Sequence, residues 1–339
     1  MNLLLNRLRN FNFDYEGQLI NTTASIGLVT FDHSNTLTEV LKQAYSACYA
    51  AKEAGRDRWN FYYLDDESIS QRTGEMSWVS RIQRALTDKQ FLLYSQEIVH
   101  IAGTDILPHY ELLIRMRGED GKIPPGFFFP GAEHYNLAAA IDLWVVDHVL
   151  STLKQAIELG YDIKGVYGVN LSGHSVGDKH FYESIIEMVG QYDLCQHDAY
   201  ICFEITETAA ILNMSSALRF INELRAMGCL FALDDFGSDL SSYTYLQQMP
   251  IAFLKIDGMF VKSCLDDPVK LEMIRSINSV GHVMGVKTIA EFVENDAIFD
   301  KVGEIDVDYA QGYWNGAPVP WTLAQAVASD TASIVSQAA

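Results

Sequence analysis

From Phe91 onward, short apolar runs alternate with longer stretches whose apolar residues recur every three or four positions. That grammar predicts strands, each followed by an amphipathic helix. The strand-like runs are 91–99, 109–116, 165–172, 200–206, 230–235, 251–257, 286–292 and 306–312. The intervening helices are equally legible, for example MSSALRFINELRAMG, which stops at Gly228, a common helix terminator. Eight strands and helices in roughly 250 residues predict an α/β fold, a (β/α)8 TIM-like barrel of parallel strands over residues 89–339. An open doubly wound sheet is the alternative, but no GxGxxG follows an early strand. Before the barrel, residues 1–66 predict a small α+β segment: the end of a helix over 1–13, a turn at Glu16-Gly17, a strand over 19–31, a helix over 37–55 and a strand over 59–64. Residues 67–88 predict a helical linker with Met76, Trp78, Val79, Ile82 and Leu86 on its buried side.

The strand ends carry the chemistry. In FALDDFGSDLSS, three apolar residues lead into Asp234 and Asp235, then Gly237. Neighbouring strand residues face opposite sides, so both carboxylates reach one pocket only if the chain turns there, and Gly237 is placed to permit a turn. The competing assignment is an acidic N-cap for the next helix. Other strands also carry polar residues at or near their ends. Glu111 lies within the second, Asn170 and Glu204 near the ends of the third and fourth, Lys255 and Asp257 at the sixth, Glu291 at the seventh, and Gln311 after the eighth. In a β/α barrel these ends ring one face, where chemistry is placed. A ring of oxygen donors with a single lysine suits hard divalent cations such as Mg²⁺ or Mn²⁺. Structural zinc is disfavoured, because the nine histidines and five cysteines form no ligand cluster. Taken singly, Asn170, Ser172, Thr206 and Asp257 could cap the helices that follow, and Arg115 could pair with Glu119 or Asp120. His109, His134, His174 and His282 suit packing or surface positions.

Charge narrows the partners. Lys+Arg 24 against Asp+Glu 44 gives a net charge of −20, which argues against a nucleic-acid polymer or an acidic membrane surface as partner. The scattered, odd-numbered cysteines point to a reduced, cytoplasmic setting. The longest apolar run, LAAAIDLWVVDHVL, is interrupted by Asp142 and Asp147 and reads as a buried helix, so no membrane contact is expected of this chain.

Seven ordered motifs carry a resemblance: ELL at 111–113 with Arg115, NLS at 170–172, EITET at 204–208, DDFG at 234–237, KID at 255–257, AEFVEN at 290–295 and QGY at 311–313. Together they resemble an EAL domain. The resemblance implies hydrolysis of cyclic di-GMP to linear pGpG using two divalent metals, Mg²⁺ or Mn²⁺. By motif, Glu111, Asn170, Glu204, Asp234, Asp235, Glu294 and Gln311 would be metal ligands, and Lys255 would hold or polarise the attacking water. Glu291 would be the general base, with Asp235 also in the catalytic group. Arg115 would grip a phosphate, with Leu113, Gln96, Pro130 and Asp257 around the substrate. Glu207, Ser238 and Asp239 would support the loop after strand five. A homodimer through the EAL domain is also implied. The alternative is an EAL receptor that binds cyclic di-GMP without useful turnover and signals through the linker helix.

Residues 1–66 resemble the C-terminal third of a GGDEF domain through SIG at 25–27, AYSACYAAK at 44–52 and GRDR at 55–58. The cyclase signature is missing and Tyr45 stands where that family has Asp, so no cyclase activity is expected. Any sensory region or membrane anchor would lie upstream in a longer parent protein. Within the EAL-like part, Leu112, Phe292, Asp239 and Glu97 depart from the usual Ala, Gly, Gly and Pro.

Overall fold

The structure, a computed structural model, describes residues 4, 5, 12–15, 18–21, 23–31, 40, 44, 47, 51, 58–61, 78–103, 107–118, 121–192, 194–212, 214–237 and 245–323. Most of the expected helices 1–13 and 37–55, linker residues 67–77, and Ser238 and Asp239 lie outside them. The chain divides into two compact units, Met1–Arg81 and Ile82–Ala339.

In the first unit, β1 (Asn12–Tyr15) and β2 (Gln18–Asn21) pair antiparallel, with Tyr15 opposite Gln18. Residues 12 and 13 therefore belong to a hairpin and not to a helix end. β3 (Ile26–Leu28) pairs parallel with β4 (Trp59–Phe61). The run 19–31, expected as one strand, is split between β2 and β3. Residues 40, 44, 47 and 51 are helical, a spacing that puts them on one face, and Ala47 and Ala51 are fully buried.

The second unit is a curled sheet with helices, a TIM-like α/β fold. Its described strands are β5 (Phe91–Glu97), β6 (Val99–His100), β7 (His109–Gly118), β8 (Gly121–Ile123), β9 (Gly165–Leu171), β10 (Ala199–Thr206), β11 (Leu230–Phe236), β12 (Phe253–Ile256), β13 (Lys287–Ala290), β14 (Tyr309–Ala310) and β15 (Val319–Pro320). The path runs β15-β5-β7-β9-β10-β11-β12-β13-β14-β6. Since only Ile98 separates β5 from β6, and β6 pairs with β14, the curl brings the β14 side of the path round to β5.

Strand β7 and strands β9 through β14 run parallel as expected, but β5 pairs antiparallel with β7, Phe91 opposite Met116 and Gln96 opposite Glu111. This corrects the all-parallel expectation. A parallel partner needs a crossover of a dozen or more residues, and the chain between His100 and His109 is too short to supply one.

The interior is layered. One apolar level consists of Ile98, Val166, Cys202, Ala232, Phe253, Ile289 and Tyr309, all buried. Side chains alternate along a strand, so the residue two positions on occupies the next level of the same face. Those residues are Gly168, Glu204, Asp234, Lys255, Glu291 and Gln311, and on β7 the same step leads from His109 to Glu111. The polar site is thus the level above a dry core. His109 belongs to that core: its ring lies 4.7 Å from Phe253 and 5.9 Å from Tyr309 between centroids. Burial, and then the Lys255 charge, depress it to about 3, so it is neutral.

Helical residues 82–87 open the second unit, with Ile82 and Ala85 fully buried and Leu86 half-buried. Helix Ala138–Glu158 covers the sheet with Ile141, Val145, Val149 and Leu153 buried. Among the described residues no helix is long and apolar enough to cross a membrane.

Candidate active site

Lys255 is the hub. It sits on β12 with 0% of its surface exposed, and its Nζ lies 2.6 Å from Glu204, 3.0 Å from Glu291, 3.1 Å from Asp234 and 3.4 Å from Glu111. Burial pulls its pKa down, yet the carboxylates of Asp234, Glu111, Glu204 and Glu291 outweigh that and hold it well above the ordinary value. One ammonium cannot balance four carboxylates in a buried site. Burial, reinforced by neighbouring acids and opposed by Lys255, pushes Glu204 up to about 8 and Glu291 well above its ordinary value. Burial also acts on Glu111, but Lys255 and the bonds from Gln311 and Asn170 prevail and lower it.

Two amides shape this carboxylate cluster. Asn170 donates to Glu111 at 2.6 Å, and Gln311 donates to the other Glu111 oxygen at 2.6 Å. Asn170 therefore faces the cluster, and the cap of helix Gly173–Gly177 is provided by Ser172. Gln311 also reaches Gln96 at 3.4 Å, and Gln96 in turn holds the Gly316 carbonyl at 3.1 Å.

Asp234 and Asp235 both serve the site because the strand breaks between them. Asp235 adopts φ +55°, and the pairing of β11 with β12 shifts register between Leu233 and Phe236. Gly237 has the positive φ expected of the turn (+93°), and the break begins two residues earlier, as a bulge at Asp235. Oxygens of Asp234, Asp235 and Glu291 lie within 4.8 Å of one another. Burial, with Asp234 and Asp257 adding charge, raises Asp235 to about 6.

Divalent cations fit this donor set. It is all oxygen, it carries more negative charge than Lys255 offsets, and Gln311 Oε1 is buried without a hydrogen-bond donor among the described residues.

The remaining expected residues are placed more loosely. Glu294 is exposed and has no hydrogen bond or ion pair to the cluster among the described residues. Asp257 is half-buried and caps Gly258–Val261 through a 2.7 Å bond from Met259 N. Pro130 is exposed inside helix Pro125–His134. Leu113 and Arg115 share the Glu111 face of β7, farther toward its C-terminal end. Arg115 donates to the Ile114 carbonyl at 2.8 Å and is in no ion pair among the described residues. Glu207 is buried; it accepts from Gly237 N at 3.1 Å and from the Tyr245 hydroxyl, so it ties together both flanks of residues 238–244.

Several contributors escaped the sequence. Gly168 leaves room for Glu204: a Cβ there would fall 2.1 Å from Glu204 Oε1. Its signal was a glycine inside a strand, which marks a close approach. Asp142, noted only as an interruption in an apolar run, is 2% exposed and accepts from Ser172 N at 2.8 Å and Ser175 Oγ at 2.6 Å. It pins the end of β9 just past Asn170. Asp142→Ala leaves Ser172 N without that acceptor and is expected to cost about 2 kcal/mol of stability, read as a lower urea midpoint.

Comparison with known proteins follows the same lines. Residues 79–318 match the family model described as EAL domain. The chain is 36% identical over 283 residues to "Cyclic di-GMP phosphodiesterase PdeB" of Shewanella oneidensis, covering 83% of this chain and 33% of that protein. It is 32% identical over 248 residues to "Cyclic di-GMP phosphodiesterase PdeF" of Escherichia coli, covering 73% of this chain and 32% of the relative. The chain thus spans about a third of the length of these curated relatives. Among solved structures, "PaMucR Phosphodiesterase, c-di-GMP complex" aligns with TM-score 0.64 and 28% identity over 72% of this chain and 98% of that one. With the carboxylates of β7, β10, β11 and β13 gathered on Lys255 and the match running through all of them, the chain belongs to the EAL domain family.

Proposed function

We propose that this chain hydrolyses one phosphodiester of cyclic di-GMP, giving linear pGpG, with two divalent ions, Mg²⁺ or Mn²⁺. The convergence of Glu111, Glu204, Asp234 and Glu291 on one buried lysine supports this most directly. The names of the relatives support the choice of substrate.

Glu111, Asn170, Glu204, Asp234, Asp235, Glu294 and Gln311 would hold the metals. When bound, such ions acidify water and offset the charge of the phosphoryl oxygens. Lys255 keeps its proton and presents positive charge to the pentavalent transition state. Glu291, whose burial makes it a better base than a free carboxylate, takes the proton of the attacking water. Arg115 holds a phosphate, while Leu113, Gln96, Pro130 and Asp257 border the guanines. Glu207 fixes the loop that contains Ser238 and Asp239. The working form is a homodimer through the EAL domain in the cytoplasm, and residues 1–66 are a GGDEF remnant without cyclase function.

Glu291→Gln tests the assignment of the base. At saturating metal it is expected to keep KM within about threefold while kcat falls about 10²-fold or more. A kcat near wild type would remove Glu291 from proton transfer.

A further inference from the structure

The C-terminal end of β7 carries a feature the motifs do not mark. Positions 111, 113, 115 and 117 share one face of this strand, and the hairpin of β7 with β8 sets Lys122 directly opposite Arg117, hence on that same face. Tyr94, which pairs with Leu113, is 8% exposed and collects two cations. The Lys122 ammonium lies 4.1 Å from its ring centroid and the Arg115 guanidinium carbon 5.6 Å from it. Neither cation is in an ion pair among the described residues, although the chain has a net charge of −20.

Two like charges held over one ring repel each other, and the face of an aromatic ring is a weaker counterpart for them than an anion. An anion between them converts that repulsion into two charge-assisted contacts. A cyclic dinucleotide brings two phosphodiesters: one must lie against the carboxylate cluster to be cleaved, and the other stays intact. We propose that Lys122, together with Arg115 on the Tyr94 ring, binds the phosphodiester that is not cleaved, making Lys122 a specificity-determining residue for two-phosphate substrates. This rests on the phosphodiesterase activity proposed above.

Steady-state kinetics on two substrates test it: cyclic di-GMP, and bis(p-nitrophenyl) phosphate, which has a single diester. Lys122→Ala is expected to raise KM for cyclic di-GMP about five- to tenfold with kcat within twofold, and Lys122→Glu to raise it further. Lys122→Arg keeps KM within about twofold, because the charge remains. The bis(p-nitrophenyl) phosphate kinetics of all three variants stay at the wild-type values. Lys154→Ala, which removes a cation over Tyr192 on the covering helix, serves as a control with unchanged KM. An unchanged KM for cyclic di-GMP in Lys122→Ala and Lys122→Glu, or an equal effect on both substrates, overturns the inference. Failure of the wild type to hydrolyse or bind cyclic di-GMP would instead overturn the activity on which it rests.

Discussion

Glu111→Ala is expected to reduce cyclic di-GMP turnover by at least about 10³-fold, the scale of losing a central electrostatic group in a two-metal site. Glu111 is where the polar level is tied together. It receives Asn170 on one oxygen and Gln311 on the other, and it lies 3.4 Å from Lys255. Removing it frees two amides and takes a carboxylate from the donor set in one step. The fold should survive, because the apolar level beneath it, from Ile98 to Tyr309, is untouched. The check is kcat/KM beside a thermal melt: a folded, inactive variant is predicted, and a folded variant with wild-type turnover would take Glu111 out of the site.

Lys255→Met acts on stability as well as on chemistry. The substitution keeps much of the side-chain volume but leaves four carboxylates facing one another without the cation they share. Breaking a buried ion pair from one side costs about 3 to 5 kcal/mol, and four acids share this lysine. The variant is expected to melt well below the wild type in a chelator and to recover part of the difference when Mg²⁺ or Mn²⁺ is added, since bound cations stabilise the native state by linkage. Turnover stays low even with metal, because the charge that faced the transition state is gone. A melting temperature equal to wild type in chelator would show that the carboxylates are held neutral by other means.

Much of this site was legible because strands alternate strictly. Once Cys202, Ala232, Phe253, Ile289 and Tyr309 face the core, Glu204, Asp234, Lys255, Glu291 and Gln311 must share their face one level up. A polar residue closing an apolar run was therefore informative at every strand. The direction of β5 was misjudged because its apolar pattern matches that of a parallel strand; only the short link to β7 distinguishes them. Gly237 takes the positive φ expected of it, whereas the bulge at Asp235 left no signal, because an aspartate adopts that conformation without announcing it.

Asp142 was invisible for a different reason. Its partners Ser172 and Ser175 lie thirty or more residues away, and nothing in the helix pattern announces a carboxylate turned inward to hold a strand end. Lys122 depends on hairpin register, which a local pattern does not specify. Phe292 shows the reverse case. It stands where many members of the family have glycine, and the structure gives it φ +53° with its ring against Gly258 and Lys262. The departure from the motif thus marked a real backbone requirement, met here by a strained phenylalanine.

The central claim is metal-dependent hydrolysis at the Lys255 cluster. Its most direct test is incubation of the wild-type chain with cyclic di-GMP in Mg²⁺, in Mn²⁺ and in excess chelator, with products separated by chromatography. Linear pGpG in either metal and intact substrate in chelator is the predicted result. Saturable binding with no pGpG in either metal would contradict it and make this domain a receptor.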